Sequence, residues 1–179
     1  MTNMARIGVV GLGNWGSALA KIWIEDGHTV SGWTIEHDVY KSLMEESMNH
    51  KYLPGYDLSG LQPTMEINDI LENCELIIMA LPSSVIISVF DKMVQNLRPS
   101  HVIVDLAKGL APESEDYELI SQVLENKLSE AGKNNPVVVM TGPTIAPEVA
   151  KGVLTNALVA CHDRSVAERV SERLSTGTL

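Results

Sequence analysis

Short apolar runs alternate with longer amphipathic stretches along most of this chain. The short runs, rich in Val and Ile, cover residues 7–10, 28–33, 76–80, 102–106, 137–140 and 154–160. The longer stretches, at 18–25, 39–48, 85–97, 117–128 and 166–174, have the character of amphipathic helices. Continuous apolar strands that alternate with helices are typical of a parallel sheet covered on both faces. The pattern predicts an α/β fold, a doubly wound and mostly parallel sheet in three layers.

Two polar segments interrupt this alternation. Residues 49–63 hold Pro54 and Pro63 among glycines and asparagines, which predicts an irregular insertion and not a helix. Such an insertion is long enough to reach a ligand crevice. The acidic run at 113–116 follows Pro112 and precedes an apolar-periodic stretch, so we expect it to begin a helix.

Composition narrows the class of protein. The 179 residues suffice for one compact domain, and 45% hydrophobic with 20% charged residues is ordinary for a folded chain. A formal charge of -10 without a basic stripe excludes a nucleic-acid binder. Cys74 and Cys161 lack ligand spacing and are expected to be reduced core residues, and no histidine has metal-ligand spacing. The absence of an export or membrane-spanning segment predicts a cytoplasmic location.

A glycine-rich hexapeptide follows the first strand. Gly11, Gly13 and Gly16 form a GxGxxG motif that ends the strand at 6–10 and opens the helix near residue 17. In this context Gly11 permits the tight turn, Gly13 lets the backbone approach a pyrophosphate, and Gly16 lets helix and strand pack closely. The free N–H groups at the helix start favour negative charge. The loop predicts a nicotinamide dinucleotide as cofactor.

The end of the second strand bears on which dinucleotide binds. NAD enzymes often place a carboxylate there and NADP enzymes an arginine, yet Thr34 and Ile35 occupy the usual positions, with Glu36 and His37 just beyond. No Lys or Arg occurs from residue 25 to residue 40, so a 2′-phosphate would find no local countercharge. The sequence therefore favours NAD, with NADP as the open alternative.

Four further segments accompany the glycine loop: NHKYLPG at 49–55, ALPS at 80–83, AKGL at 107–110 and TGPTIAPEVA at 141–150. In order and spacing they resemble the NAD(P)-dependent glycerol-3-phosphate dehydrogenases, over essentially the whole chain. The last two segments are not expected in other dehydrogenases of similar fold. The resemblance implies that residues 1–179 are that family's N-terminal, Rossmann-like NAD-binding domain.

The resemblance also assigns residues to sites. For cofactor binding these are the loop residues Gly11, Gly13, Asn14, Trp15 and Gly16, together with Tyr52 of the insertion, Lys108 and Ala146. For the substrate, sn-glycerol 3-phosphate or dihydroxyacetone phosphate, they are Lys108, Gly142 and Thr144. Lys108 directly follows an apolar strand, and Gly142 and Thr144 lie between a strand and a helix. Both positions are expected at the carboxyl edge of the sheet, where ligands bind in such folds.

Three positions depart from the family pattern. Ala107 stands where Ser or Thr is usual, Ile145 where Phe is frequent, and Ile35 where many bacterial members carry a basic residue. The last change again weakens the case for NADP.

The sequence ends at Leu179, soon after the helix predicted at 166–174, and we expect that it is cut short. The family's C-terminal helical substrate domain, with its catalytic lysine and phosphate-gripping residues, is absent, so no catalytic residue is predicted in this chain. We expect it to bind cofactor without turnover. The resemblance implies that the whole enzyme supplies glycerol 3-phosphate for glycerophospholipid synthesis. A homodimer is one possible assembly of the whole enzyme.

Two alternatives remain at this point. One is a stand-alone NAD-sensing or binding module, and the other is a small Rossmann reductase acting on a different substrate. The YLPG and GPT segments speak against the second.

Overall fold

The computed structural model describes residues 4–112 and 117–179. Within these ranges the strands are Arg6–Val10 (β1), Thr29–Trp33 (β2), Leu61–Thr64 (β3), Leu76–Met79 (β4), Val102–Asp105 (β5), Val137–Thr141 (β6) and Leu158–Ala160 (β7). The helices are Asn14–Glu25 (α1), His37–Glu46 (α2), Ile67–Asn73 (α3), Ile86–Met93 (α4), Ile120–Glu130 (α5), Ala146–Ala150 (α6) and Arg164–Leu174 (α7). A short 3-10 turn, Val94–Asn96, follows α4.

The strands form one sheet in the order β3-β2-β1-β4-β5-β6-β7. All neighbours are parallel except β6 and β7, which are antiparallel. The chain order reverses between β1 and β4, and this switch point opens a crevice at the carboxyl ends of the two strands. The predicted doubly wound, mostly parallel sheet is confirmed.

Helices cover both faces of the sheet, because alternate strand residues are apolar on each side. Ile7 and Val9 point to the core shared with α1, α2, α6 and α7. Ile77 and Ile103 point to the core shared with α3, α4 and α5. In the first core, the Trp23 indole of α1 donates to the Leu174 carbonyl at the end of α7, at 3.0 Å. This bond ties the first helix to the last one across the layer.

The structure corrects the prediction for the segment between β2 and β4. Residues 49–60 are irregular as expected, but a strand begins at Leu61 and includes Pro63, and helix α3 follows it. Since β3 is the edge strand, its proline is tolerated there. The short polar sequence of β3 lacks the apolar run by which the other strands are recognised.

Several boundaries also differ from the predicted ones. The apolar stretch 85–97 ends as a helix at Met93, and the run 154–160 contributes only the three residues of β7. The helix start predicted at 113–116 lies outside the described residues, and the assignment of residues 1–179 to one NAD-binding domain stays a prediction. In the described part of the chain, no helix is long and apolar enough to cross a membrane.

Both cysteines are free thiols. Cys74 lies in the core between β1 and α3, and burial raises the pKa of its thiol. Cys161 is partly buried against the other core. The environment of Cys74 is therefore unlike that of a reactive nucleophile.

Candidate functional site

A cavity of about 640 Å³ opens at the carboxyl edge of the sheet, at the switch point between β1 and β4. Its volume lies within the usual range for small-molecule sites. It is lined by residues from the ends of three strands, the glycine loop, the insertion and α4: Gly11, Leu12, Gly13, Asn14, Trp15, Trp33, Thr34, Ile35, Glu36, Tyr52, Ala80, Leu81, Pro82, Val85, Ser88, Val89, Lys92 and Leu106. The structure therefore brings Gly11, Gly13, Asn14, Trp15 and Tyr52 together as predicted from the sequence.

The three motif glycines of the loop meet different steric conditions. Gly11 has φ +107, which L side chains rarely adopt, and a Cβ there would lie 2.5 Å from the Ala80 carbonyl oxygen. A Cβ on Gly16 would lie 2.0 Å from the Gly11 carbonyl oxygen, so only glycine lets α1 pack this closely on the loop. A Cβ on Gly13 would meet nothing within 4 Å. The space above Gly13 is therefore open, which allows a phosphate group to approach the backbone there.

Helix α1 begins at this loop and leaves its first amides free for a ligand. Its N-cap residue, Gly13, has no side chain to cap them, and the first bond of the helix runs from the Ser17 amide to the Gly13 carbonyl, at 3.0 Å. The amides of residues 14–16 therefore lack a partner within the helix. No acidic residue lies in the first turn of α1. A helix end of this kind favours an anion.

The insertion supports the loop through Asn49, a residue to which the sequence assigned no role. Its fully buried side chain donates to the Leu12 carbonyl and to the Ser17 hydroxyl, both at 2.9 Å. Its amide oxygen accepts the Tyr52 backbone N–H at 3.1 Å. Ser17 in turn donates to the Leu12 carbonyl at 3.1 Å. Asn49 thus fixes the glycine loop and Tyr52 relative to each other.

Tyr52 and Glu36 face each other at the edge of the cavity. The Glu36 carboxylate, chiefly through a hydrogen bond, raises the pKa of the Tyr52 phenol. Lys51 pairs with the same carboxylate, and its ammonium lies 5.3 Å from the centre of the Tyr52 ring. Side chains from the turn after β2 and from the insertion therefore form one cluster.

Two lysines from other elements lie near the end of the second strand, where the local sequence offers no positive charge for a 2′-phosphate. Thr34 is buried and its hydroxyl accepts the Glu36 amide at 3.1 Å, whereas Ile35 is 70% exposed and lines the cavity. No lysine lies within residues 25–40, but Lys51 of the insertion reaches Glu36, and Lys92 of α4 lines the cavity. Sequence proximity missed both because the fold brings them in from other elements.

A second group of predicted residues lies at the ends of β5 and β6. The Lys108 ammonium donates to the Gly142 carbonyl at 3.2 Å, and the Thr144 amide donates to the same oxygen at 2.9 Å. A Cβ on Gly142 would lie 2.7 Å from the Asn156 carbonyl, so glycine lets the segment before β7 pass. The cavity lining does not include Lys108, Gly142, Thr144 or Ala146. These residues form a separate corner, the Lys108 corner.

Thr144 and Ala146 have different surroundings at this corner. Thr144 does not cap α6: the helix begins after Ile145, and no side chain caps it. Ala146 is partly buried against Ala18, Leu53 and Ala150, in the contact between α6 and α1. The hydroxyl of Thr144 therefore plays no part in starting the helix.

Asp105, at the end of β5, shapes the turn into the Lys108 corner. Its carboxylate accepts the Ala107 amide at 2.9 Å, and only 2% of the residue is exposed. Burial raises the pKa of Asp105 from 3.8 to about 6. Within residues 4–112 and 117–179, including this turn, no group of three His, Cys, Asp or Glu side chains is placed to hold a metal ion.

A parallel switch-point crevice, a glycine loop with free helix amides and a cavity between the ends of β1, β2 and β4 define the class: a dinucleotide-binding α/β domain of the dehydrogenase type. The family follows from a match of residues 6–167 to the model described as the NAD-dependent glycerol-3-phosphate dehydrogenase N-terminus. The chain belongs to this family, as the glycine loop and the YLPG, KGL and GPT segments predicted.

Relatives and solved structures agree with this placement. A glycerol-3-phosphate dehydrogenase of Lactobacillus delbrueckii subsp. bulgaricus, of the NAD(P)+ type, is 34% identical over 172 residues, covering 94% of this chain and 50% of its own length. One from Pseudomonas entomophila is 35% identical over 97% of this chain and 49% of its own. The crystal structure of glycerol-3-phosphate dehydrogenase from Coxiella burnetii superposes with TM-score 0.88 at 28% identity, over 98% of this chain and 52% of that one. The chain spans about half the length of these relatives.

Proposed function

We propose that this chain is the cofactor-binding domain of an oxidoreductase that interconverts dihydroxyacetone phosphate and sn-glycerol 3-phosphate with NAD(H). One observation carries the proposal: the glycine loop meets the steric conditions of a pyrophosphate cradle, open above Gly13 and closed at Gly11 and Gly16. This cradle lies at the mouth of a cavity of about 640 Å³.

The residues of the cavity suit each part of a dinucleotide. The free amides at the start of α1, with Asn14 and Trp15, receive the pyrophosphate. Apolar side chains of Leu81, Val85 and Val89 line the cavity and offer a surface for a flat ring. When bound, the nicotinamide supplies or accepts the hydride. The chain's own residues hold and orient the dinucleotide, and this positioning is their contribution to rate.

In this proposal the Lys108 corner binds the substrate and the reacting end of the cofactor. Lys108 is exposed, its ammonium is held at the Gly142 carbonyl, and it follows β5 at the edge where ligands bind. A cation here stabilises negative charge on a substrate carbonyl oxygen or on a phosphate. The resemblance also assigns Thr144 to the substrate site and Ala146 to the cofactor side of this corner.

The proton-transfer residue is assigned to the helical domain that the resemblance implies, so residues 1–179 bind cofactor without appreciable turnover. The same resemblance supports a cytoplasmic enzyme that supplies glycerophospholipid synthesis and works as a homodimer.

Calorimetric titration of the 179-residue chain tests this proposal. NADH and ADP are expected to bind, and adenosine, which lacks the pyrophosphate, about tenfold or more weakly than ADP, because the loop amides then have no anion to receive. Absence of NADH binding would overturn the proposal. A second measurement follows NADH oxidation with dihydroxyacetone phosphate: turnover at enzyme-like rates would show that the domain is sufficient for catalysis and contradict the assignment of proton transfer elsewhere.

A further inference from the structure

We propose that Glu36 and Lys51 together set the preference of this chain for NAD over NADP. In this arrangement the Glu36 carboxylate forms an ion pair with the Lys51 ammonium. Without that pair, the ammonium is available to bind a 2′-phosphate on the adenosine ribose. The inference rests on the proposed cofactor-binding function and assigns its specificity.

The geometry places the pair at the edge of the cavity. Glu36 lies just beyond Thr34 and Ile35, which hold the usual ribose-reading positions after β2, and its side chain still lines the cavity. The Lys51 ammonium contacts a carboxylate oxygen of Glu36, and it lies 3.7 Å from an oxygen of Asp38. The lysine therefore faces two carboxylates, one of which belongs to the cavity wall.

Lys51 is held there by its neighbours in the chain and not only by its own side chain. Asn49 is fully buried, bonded to the glycine loop, and it accepts the backbone N–H of Tyr52. Lys51 lies between these two residues, and its ammonium also lies 5.3 Å from the centre of the Tyr52 ring. A buried anchor thus delivers this cation to the end of β2.

The local charge balance favours a ribose without phosphate. One ammonium against the carboxylates of Glu36 and Asp38 leaves a net charge of about -1 at this edge. A 2′-phosphate carries a charge of about -1.5 to -2 near neutral pH and is repelled by this excess. Free ribose hydroxyls instead donate to the carboxylate of Glu36. The arrangement selects NAD by rejecting the competing charge as well as by accepting the hydroxyls.

The pair is weak enough to be exchanged. The side chains of Lys51 and Glu36 are 46% and 30% exposed, and ion pairs of this kind contribute little stability. Removal of the Glu36 charge therefore leaves Lys51 with only its longer contact to Asp38, and it does not unfold the chain, since the Glu36 side chain does not cap α2. Lys92 remains in the cavity wall and provides a second cation whose role a separate variant resolves.

Calorimetric titration with NADH and NADPH, on four forms of the chain, tests the inference. We expect the wild type to bind NADH more tightly than NADPH. Glu36→Gln is expected to tighten NADPH binding roughly tenfold and to weaken NADH binding, because repulsion is lost and Lys51 is released. In the double variant Glu36→Gln/Lys51→Met, most of this gain is expected to disappear. Lys51→Met alone is expected to weaken NADPH binding further.

Three controls sharpen the result. Glu45→Gln removes the same charge from an exposed glutamate of α2 that pairs with Lys41 outside the cavity lining, and it is expected to leave both affinities unchanged. Lys92→Met in the Glu36→Gln background is expected to keep most of the NADPH gain. Raising the salt concentration is expected to reduce that gain, since the contact is partly exposed. Melting curves confirm that each variant is folded.

The outcomes separate the two proposals. An NADPH gain that persists in the double variant, or no gain in Glu36→Gln, overturns the role of Lys51 while leaving cofactor binding intact. Tighter binding of NADPH than NADH by the wild type does the same. If the folded wild type binds neither dinucleotide, the proposed function fails, and this inference fails with it.

Discussion

Gly13 and Gly16 lie three residues apart, yet the loop needs glycine at them for different reasons. Gly16 is required by the fold, because any Cβ would collide with the Gly11 carbonyl. Gly13 has φ -73 and ψ -166, which other residues adopt, and its Cβ direction is open. Glycine at position 13 is therefore explained by an approaching ligand and not by the packing of this chain.

This difference predicts opposite phenotypes for two alanine variants. Gly13→Ala is expected to fold with a loss below about 1 kcal/mol, and to weaken NADH binding about tenfold or more, because a methyl group enters the cradle. Gly16→Ala is expected to lower the free energy of unfolding by about 3 kcal/mol, as an overpacked contact does. Urea unfolding and calorimetry on both variants check this. Equal loss of stability in the two would contradict the assignment.

At this scale, residues whose roles follow from a local motif were predictable from the sequence, and those placed by the fold were not. Gly11, Gly13 and Gly16 lie where a strand meets a helix, so their roles could be assigned without a structure. Lys51 and Glu36 are fifteen positions apart along the chain and meet only because the insertion folds back on β2. The sequence gives no signal of that pairing beyond the opposite charges.

The insertion acts as one structural element with the glycine loop, although it contains no helix or strand before Leu61. Asn49 uses its amide nitrogen and its amide oxygen to join the two. A buried amide with all these partners satisfied stabilises the contact, and its removal leaves polar groups buried without partners.

Asn49→Ala is therefore expected to lower the free energy of unfolding by about 3 kcal/mol and to weaken NADH binding, because the Tyr52 amide loses its acceptor and the Leu12 carbonyl keeps only the Ser17 hydroxyl as a donor. The matched control is Asn96→Ala, an exposed asparagine whose side chain bonds to Asn68. It is expected to change stability by less than about 0.5 kcal/mol. Thermal and urea unfolding measure both. A neutral Asn49→Ala would mean that the insertion does not support the loop.

Elements with a strong apolar period were predictable, and the weak ones were not. The buried strands β1, β4 and β5 are continuous apolar runs, as a strand covered on both faces requires. The edge strand β3 reads LQPT and has no such signal, because only one side of it pairs. Likewise α6, five residues long, offers too few turns for a period to appear.

Viewed as a whole, the molecule buries titratable groups whose pKa values are shifted in opposite directions. His28 accepts the Ala5 amide and His101 accepts the Arg98 amide, and burial lowers the pKa of both histidines. Asp105 is buried with the opposite result, a pKa of about 6. As pH falls below about 6.5, the histidines cost stability because only the unfolded chain accepts their protons freely, while Asp105 returns stability.

Asp105→Asn separates these opposing contributions. A pKa of about 6 in place of 3.8 corresponds to about 3 kcal/mol of lost stability at pH 7, which the neutral amide avoids. We expect the variant to be more stable than the wild type at about pH 7, by up to that amount, and the advantage to shrink to about half near pH 5. Urea unfolding at several pH values measures it. An advantage that does not vary with pH would exclude the buried charge as its cause.

The three tryptophans occupy positions with different optical consequences. Trp15 and Trp33 line the cavity. Trp23, near the C-terminal end of α1, is fully buried, and its indole donates to the Leu174 carbonyl at the end of α7. Two intrinsic fluorophores thus adjoin the ligand, and the third senses only the integrity of the helical layer. Tryptophan emission from one unlabelled sample therefore reports both ligand binding in the cavity and the folding of the helical layer. Replacing the tryptophans one at a time separates the two signals.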